Sequence, residues 1–271
     1  MAYMKTFSIN GTNLSFVDRG AGAALVLVHG FPLDHSMWSG QIEPLSARHR
    51  VIAPDLRGFG QSGVSEGIVT MEQFADDLAA LIDFLEIDEM AFCGLSMGGY
   101  IALEFWRKYA ERLRALILCD TRAVSDTPAD AANRFVVAEK VLREGSNTVA
   151  DAMIPKLFDP LTLEKQPHLI DSMRQVMEQT DPRGIAAAAR GMAQRADFTA
   201  ELPRIGCPAL VIVGQSDAIS PVAEMQAISE AVPNAEFIII PQAGHMAPME
   251  QPQAVNVAIE RFLWQNGIVP N

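Results

Sequence analysis

Six apolar runs set the limits on how this chain can fold: Ala24-Leu25-Val26-Leu27-Val28, Val51-Ile52-Ala53, Met90-Ala91-Phe92-Cys93, Ala115-Leu116-Ile117-Leu118, Ala209-Leu210-Val211-Ile212-Val213 and Phe237-Ile238-Ile239-Ile240. None alternates with polar residues, so each describes a strand buried on both faces, as in a parallel sheet covered by helices. Segments of helical period lie between them, such as Phe74, Leu78, Leu81, Ile82 and Leu85 behind Thr70, a candidate N-cap. Ahead of the first run, residues 6–9 and 14–17 flank a turn at Gly11, as in a hairpin. The expected architecture is α/β, a mostly parallel eight-stranded sheet with an antiparallel start and helices on both faces.

The alternation stops between Thr121 and about Leu202, where no strand run occurs. Thr127-Pro128 and Asp181-Pro182 instead read as helix starts, each an N-cap residue followed by proline at the first helical position. The expected organisation is therefore a core domain of residues 1–121 and 203–271 with a helical cap, 122–202, inserted in it. The chain closes on a helical pattern at Ala254, Val257, Ala258 and Phe262, ended by Gly267 and Pro270.

Composition excludes several partners. A formal net charge of -12 leaves no basic face for nucleic acid and disfavours anionic membranes. No apolar stretch approaches the roughly 18 residues that span a bilayer. Residues 1–7 carry one lysine and turn polar at Ser8, without the apolar centre of a secretory signal, so a cytoplasmic location is expected. Of the three cysteines, Cys93 and Cys119 fall within strands and Cys207 precedes a strand, which reads as buried free thiols. Nothing in the sequence bears on oligomeric state.

Chemistry enters at Gly94-Leu95-Ser96-Met97-Gly98-Gly99, directly after a strand run and directly before the helical pattern from Tyr100. Gly-x-Ser-x-Gly alone arises by chance in roughly one chain in ten of this length. Between a strand and a helix it describes a nucleophile elbow, in which glycines permit a sharp turn and the serine is thrust outward in strained backbone geometry. A serine hydroxyl needs a base, normally histidine oriented by a carboxylate. Asp217, in Gly214-Gln215-Ser216-Asp217, and His245, in Gly244-His245-Met246, each follow a strand run. Ser96, Asp217 and His245 then lie on loops at the carboxyl ends of parallel strands, where sites form. Asp120 also ends a strand and competes with Asp217 for the acid, and the Gly-x-x-Asp loop favours Asp217. His35, His49 and His168 lack paired ligands at zinc spacing, so no metal is expected.

On four segments the chain resembles the α/β-hydrolase superfamily: His29-Gly30-Phe31-Pro32, Asp55-Leu56-Arg57-Gly58-Phe59-Gly60-Gln61-Ser62, Gly94 to Gly99, and the pair Gly214 to Pro221 with Gly244-His245. It is most similar to small capped esterases and lactonases, a group that includes enol-lactonases, perhydrolases and carboxylesterases. The resemblance implies an oxyanion hole from the amides of Phe31 and Met97. For Met97 the position at a helix start agrees, because first-turn amides lack intrahelical partners. It further implies that His29 is structural, that Asp55 braces a loop and that Arg57 partners a nearby carboxylate. Met153, Met173, Met177 and Met192 either line a pocket or fill the core of the insertion.

The activity expected is cofactor-free hydrolysis of a small carboxylic ester or lactone through an acyl-serine. Perhydrolysis, carbon–carbon bond hydrolysis and a triad-bearing signal receptor are the alternatives. Relatives that attack with aspartate or cysteine are disfavoured, because the elbow residue is serine.

Overall fold

The computed structural model describes residues 4–269, so Met1, Ala2, Tyr3, Pro270 and Asn271 lie outside the described residues. Eight strands form one sheet: β1 (Lys5–Ile9), β2 (Thr12–Arg19), β3 (Ala24–Val28), β4 (Arg50–Pro54), β5 (Met90–Leu95), β6 (Leu113–Cys119), β7 (Ala209–Gly214) and β8 (Ala235–Ile240). The order across it is β1-β2-β4-β3-β5-β6-β7-β8. The hairpin strand β2 pairs antiparallel with both β1 and β4, and every later pairing is parallel. The central strands β3, β5 and β7 are buried at every residue, as continuous apolar runs require when helices cover both faces.

Strand β3 has β4 on one side and β5 on the other, so successive crossovers leave it in opposite directions. The carboxyl ends of β3 and β5 flank this switch point, where open α/β sheets form their ligand crevice. Phe31 follows β3 and Ser96 follows β5.

Helices α1 (Ser39–Leu45), α2 (Met71–Phe84) and α3 (Met97–Tyr109) belong to the first half of the sheet. Thr70 caps α2, its side chain accepting from the Gln73 amide. Between β6 and β7 run α4 (Pro128–Glu144), α5 (Asn147–Leu157), α6 (Pro160–Lys165), α7 (Pro167–Gln179) and α8 (Pro182–Met192). Thr127 and Asp181 cap α4 and α8 as their sequence implies, and Asp159 does the same for α6. Helices α9 (Val222–Ala231), α10 (Ala247–Glu250) and α11 (Pro252–Gln265) complete the chain.

Helix α4 packs on α8 and α5 on α7. The foot of this segment is fixed by Asp126, paired with both Arg134 and the buried Arg195, whose guanidinium lies 4.4 Å from the Tyr100 ring centroid. Its inner face fits the core closely. Gly184 meets Gly58 backbone to backbone, and the Val69 amide donates to Ala187 O at 3.1 Å. Cys93 and Cys119 are buried as expected, whereas Cys207 is only partly buried because it lies ahead of the strand.

Candidate active site

Ser96 links β5 to α3 with φ 52° and ψ −112°, a left-handed backbone that a non-glycine residue adopts only when its surroundings impose it. The flanking glycines are what permit the turn. A Cβ on Gly94 would lie 2.2 Å from Gly98 O, one on Gly98 2.3 Å from Val28 O, and one on Gly99 2.3 Å from Thr121 Oγ1. Thr121 Oγ1 donates to Ser96 O at 2.7 Å and the Ser96 amide donates to Cys119 O at 3.0 Å, tying the elbow to the end of β6.

Hydrogen bonds then run from loop to loop along the sheet edge. The Asp120 amide donates to Ile212 O (2.9 Å), the Ser216 amide to Ala243 O (2.8 Å) and the Gln215 amide to Ile240 O (2.9 Å). Asp217 and His245 meet at the end of this chain, with His245 Nδ1 2.9 Å from Asp217 Oδ2. Both residues are buried. Asp217 Oδ1 accepts the amides of Ile219 (2.7 Å) and Ser220 (3.0 Å), which hold the carboxylate from behind. Nδ1 therefore carries the proton, and Nε2 is the basic nitrogen with no protein partner among the described residues. Ser96 Oγ is not hydrogen-bonded to it here, and such bonds commonly tighten only when substrate is present. The competing carboxylate, Asp120, bonds instead to the Gly214 amide at 2.7 Å.

Across the crevice, residues 29–33 lie against the elbow. A Cβ on Gly30 would stand 2.8 Å from Leu95 Cδ2 and 3.4 Å from Ser96 Cβ. The amides of Phe31 and Met97 have no backbone acceptor among the described residues, which leaves both free to bind an anion. Below the loop, the buried His29 is held through both nitrogens: Nδ1 lies 2.9 Å from Gly30 O and Nε2 accepts the Leu56 amide at 3.0 Å. Burial pushes its pKa down and keeps the ring neutral, against the pull of the Gly30 carbonyl. That arrangement braces a loop and leaves His29 no free nitrogen to act as a base.

Asp55 accepts the amides of His35 (2.9 Å) and Gln61 (2.8 Å) and lies 2.7 Å from His35 Nδ1. Arg57 forms a buried two-pronged pair with Asp77, both contacts at 2.7 Å. Asp34, His35 and Asp55 could together offer a metal three ligand atoms within 4.8 Å of one another. Both Asp55 oxygens are already taken by these donors, so the cluster reads as a loop brace.

Three contributors escape sequence reasoning. Thr121 anchors the elbow, and His35 partners Asp55. Glu250 accepts the amides of Gly244 (2.7 Å) and Asp159 (2.8 Å), fastening the His245 loop to the helical segment. Burial raises the Glu250 pKa, with the two amides and Thr162 opposing it. Only Glu250, six residues beyond the Gly244 that it holds, carries any local signal. Of the insertion methionines, Met173, Met177 and Met192 are buried and Met153 is partly buried.

Comparison with known proteins gives a consistent set. The family described as alpha/beta hydrolase fold matches residues 23–252. The chain is 31% identical over 241 residues to 3-oxoadipate enol-lactonase 2 of Acinetobacter baylyi, covering 89% of this chain and 88% of that one. Among solved structures it is similar to a thermophilic esterase from Thermogutta terrifontis, at 48% identity and a TM-score of 0.95 over 98% of this chain and 99% of that one. An enol-lactonase from Burkholderia xenovorans gives 32% identity and a TM-score of 0.90 over 96% of this chain and all of that one.

Proposed function

The chain belongs to the alpha/beta hydrolase fold family, and from that premise we propose that it is a serine hydrolase cleaving a small carboxylic ester or lactone through an acyl-serine intermediate. The observation that carries the reading is the 2.9 Å contact between His245 and Asp217 on the same sheet edge as the strained Ser96.

In the proposed reaction Ser96 Oγ attacks the substrate carbonyl as His245 Nε2 takes its proton. Asp217 stays ionised, holds the Nδ1 proton and stabilises the imidazolium that forms. The negative oxygen of the tetrahedral intermediate is met by the amides of Met97 and Phe31, which are in place before the charge develops. Collapse breaks the carbonyl–oxygen bond, and His245 returns the proton to the departing alcohol, which in a lactone stays tethered to the acyl chain. Water then enters, His245 removes a proton from it, and a second collapse frees the acid and Ser96. No step calls on a cofactor.

Residues 122–202 act in this proposal as a cap on the core, residues 1–121 and 203–271. Support comes from the contacts the segment makes on both sides of the crevice: Thr180 Oγ1 with Pro32 O at 3.2 Å, and the Met246 amide with Leu157 O at 3.2 Å. A ceiling pinned at two sides limits acyl length. An esterase and two enol-lactonases among the relatives favour ester and lactone cleavage over perhydrolysis or carbon–carbon cleavage. Initial rates on p-nitrophenyl esters from acetyl to dodecanoyl, with small lactones in parallel, test the reading. The expected profile peaks between acetyl and hexanoyl. A maximum at long chains, or no turnover by folded protein, contradicts it.

A further inference from the structure

Asp120 is fully buried at the end of β6, one residue from the Thr121 that anchors the elbow. Its backbone holds a left-handed φ of 44°. Its carboxyl faces the turn that carries Asp217: the Gly214 amide donates to Asp120 Oδ1 at 2.7 Å, and Gly214 O accepts the Asp217 amide at 3.1 Å. Asp120 Oδ2 has no hydrogen-bond partner among the described residues.

A buried ionised carboxylate with one oxygen unpaired is costly, and a second anion beside Asp217 compounds the cost. Among the described residues no cation is paired with Asp120. On β6 and β5 its neighbours are Cys119 and Cys93, with their sulfurs 3.9 Å apart. From α9, Met225 Sδ takes the Thr121 amide, and Glu224 is tied to Arg122 at 2.7 and 3.0 Å. The β7 loop brings Asp217, three residues beyond the Gly214 whose amide Asp120 accepts, and behind it stands His245. Asp217 already accepts two amides and the imidazole proton, which fit its anion and leave one of its about four acceptor sites open. If one carboxyl of the two holds a proton, the donor set selects Asp120.

We propose that Asp120 is a positioning residue held as a neutral carboxylic acid, donating its Oδ2 proton to the Asp217 carboxylate and so fixing that carboxylate toward His245. Burial, and after it the Asp217 charge, push the Asp120 carboxyl well above the usual carboxylate range, in keeping with this geometry. The proposal rests on the serine hydrolase reading and adds a fourth residue to it.

The test compares Asp120→Asn, Asp120→Ala and Asp217→Asn on a short p-nitrophenyl ester, with infrared difference spectra of wild type against Asp120→Asn. Asparagine keeps an N–H donor for Asp217 and an oxygen for the Gly214 amide, and it tolerates left-handed φ. Asp120→Asn is expected within about threefold of wild-type kcat/KM, with the acid limb of its pH profile unmoved. Asp120→Ala is expected to lose on the order of 100-fold in kcat with little change in KM, since a misplaced acid misplaces the base. The difference spectrum should contain a protonated-carboxyl C=O band at neutral pH. The proposal is overturned if Asp120→Asn falls as far as Asp217→Asn, if its acid limb moves down as removal of a negative charge demands, if Asp120→Ala is as active as wild type, or if the band is missing. A Ser96→Ala control that stays active would sink the serine reading instead, while the infrared band still reports on the Asp120 proton.

Discussion

His35 couples the scaffold beneath the site to pH. Burial works against a charge on its ring, but the Asp55 carboxylate 2.7 Å away outweighs it and holds the His35 pKa above its ordinary 6.5. Asp55 is buried too, and His35 with the Gln61 amide still brings it below the ordinary 3.8. A raised histidine binds its proton more tightly folded than unfolded, so its contribution to stability is complete below 6.5 and fades as pH climbs through the folded value. The Asp55 contribution is complete above 3.8 and fades only as pH falls through its lower folded value. Wild type should therefore lose stability relative to His35→Asn as pH rises from 6.5 through the higher folded value, measured by chemical denaturation. A gap between the two that stays constant with pH would contradict the ion pair. Sequence reasoning finds Ser96 and His245 because strand, glycine and reactive residue are adjacent in the chain. It ranks Asp217 over Asp120 only by the Gly214-x-x-Asp217 loop, since each ends a strand, whereas in the structure the 2.9 Å contact with His245 separates the two. His35 is opaque for a related reason, its partner being twenty residues away on another loop.

Among the elements, α8 fits closely against the sheet domain. A Cβ on Gly191 would sit 1.8 Å from Val69 O and 2.6 Å from Val69 C, both backbone atoms that cannot swing aside. Alanine in place of glycine inside an exposed helix ordinarily gains about 1 kcal/mol. Here Gly191→Ala is expected to cost about 1–3 kcal/mol as α8 is forced outward, and to broaden the acyl-length profile. Urea unfolding with the ester ladder checks both; a stabilised variant with an unchanged profile would mean that the contact is slack. Helices α4 and α8 are legible because Thr127-Pro128 and Asp181-Pro182 mark their starts. The helices between them are harder to read, since α5 contains Pro155, α6 has six residues and α7 starts without a side-chain cap. Helix α7 carries an apolar stripe at helical spacing, Leu169, Ile170, Met173, Val176 and Met177, of which only Met173 and Met177 are fully buried.

At the scale of the whole molecule, strand order brings the site together. The switch at β3 sets Phe31 beside Ser96, and parallel neighbours β6, β7 and β8 deliver Asp120, Asp217 and His245 to the same edge. That much follows from apolar runs in α/β alternation. The docking of residues 122–202 does not, because Thr180 with Pro32 and Ser216 with Asp159 are contacts between residues 148 and 57 positions apart, and no local pattern encodes them. Among the described residues no helix is long and apolar enough to cross a membrane. The central claim is that Ser96 forms the covalent intermediate. Its most direct test is to react wild type and Ser96→Ala with a fluorophosphonate, locate the adduct by peptide mass spectrometry and follow ester turnover in the same samples. A single adduct on Ser96 is expected, with activity lost in step with labelling, no adduct on Ser96→Ala, and turnover by that variant about four to six orders of magnitude below wild type. An adduct on another residue, or more than a few per cent of activity left in Ser96→Ala, would place the nucleophile elsewhere.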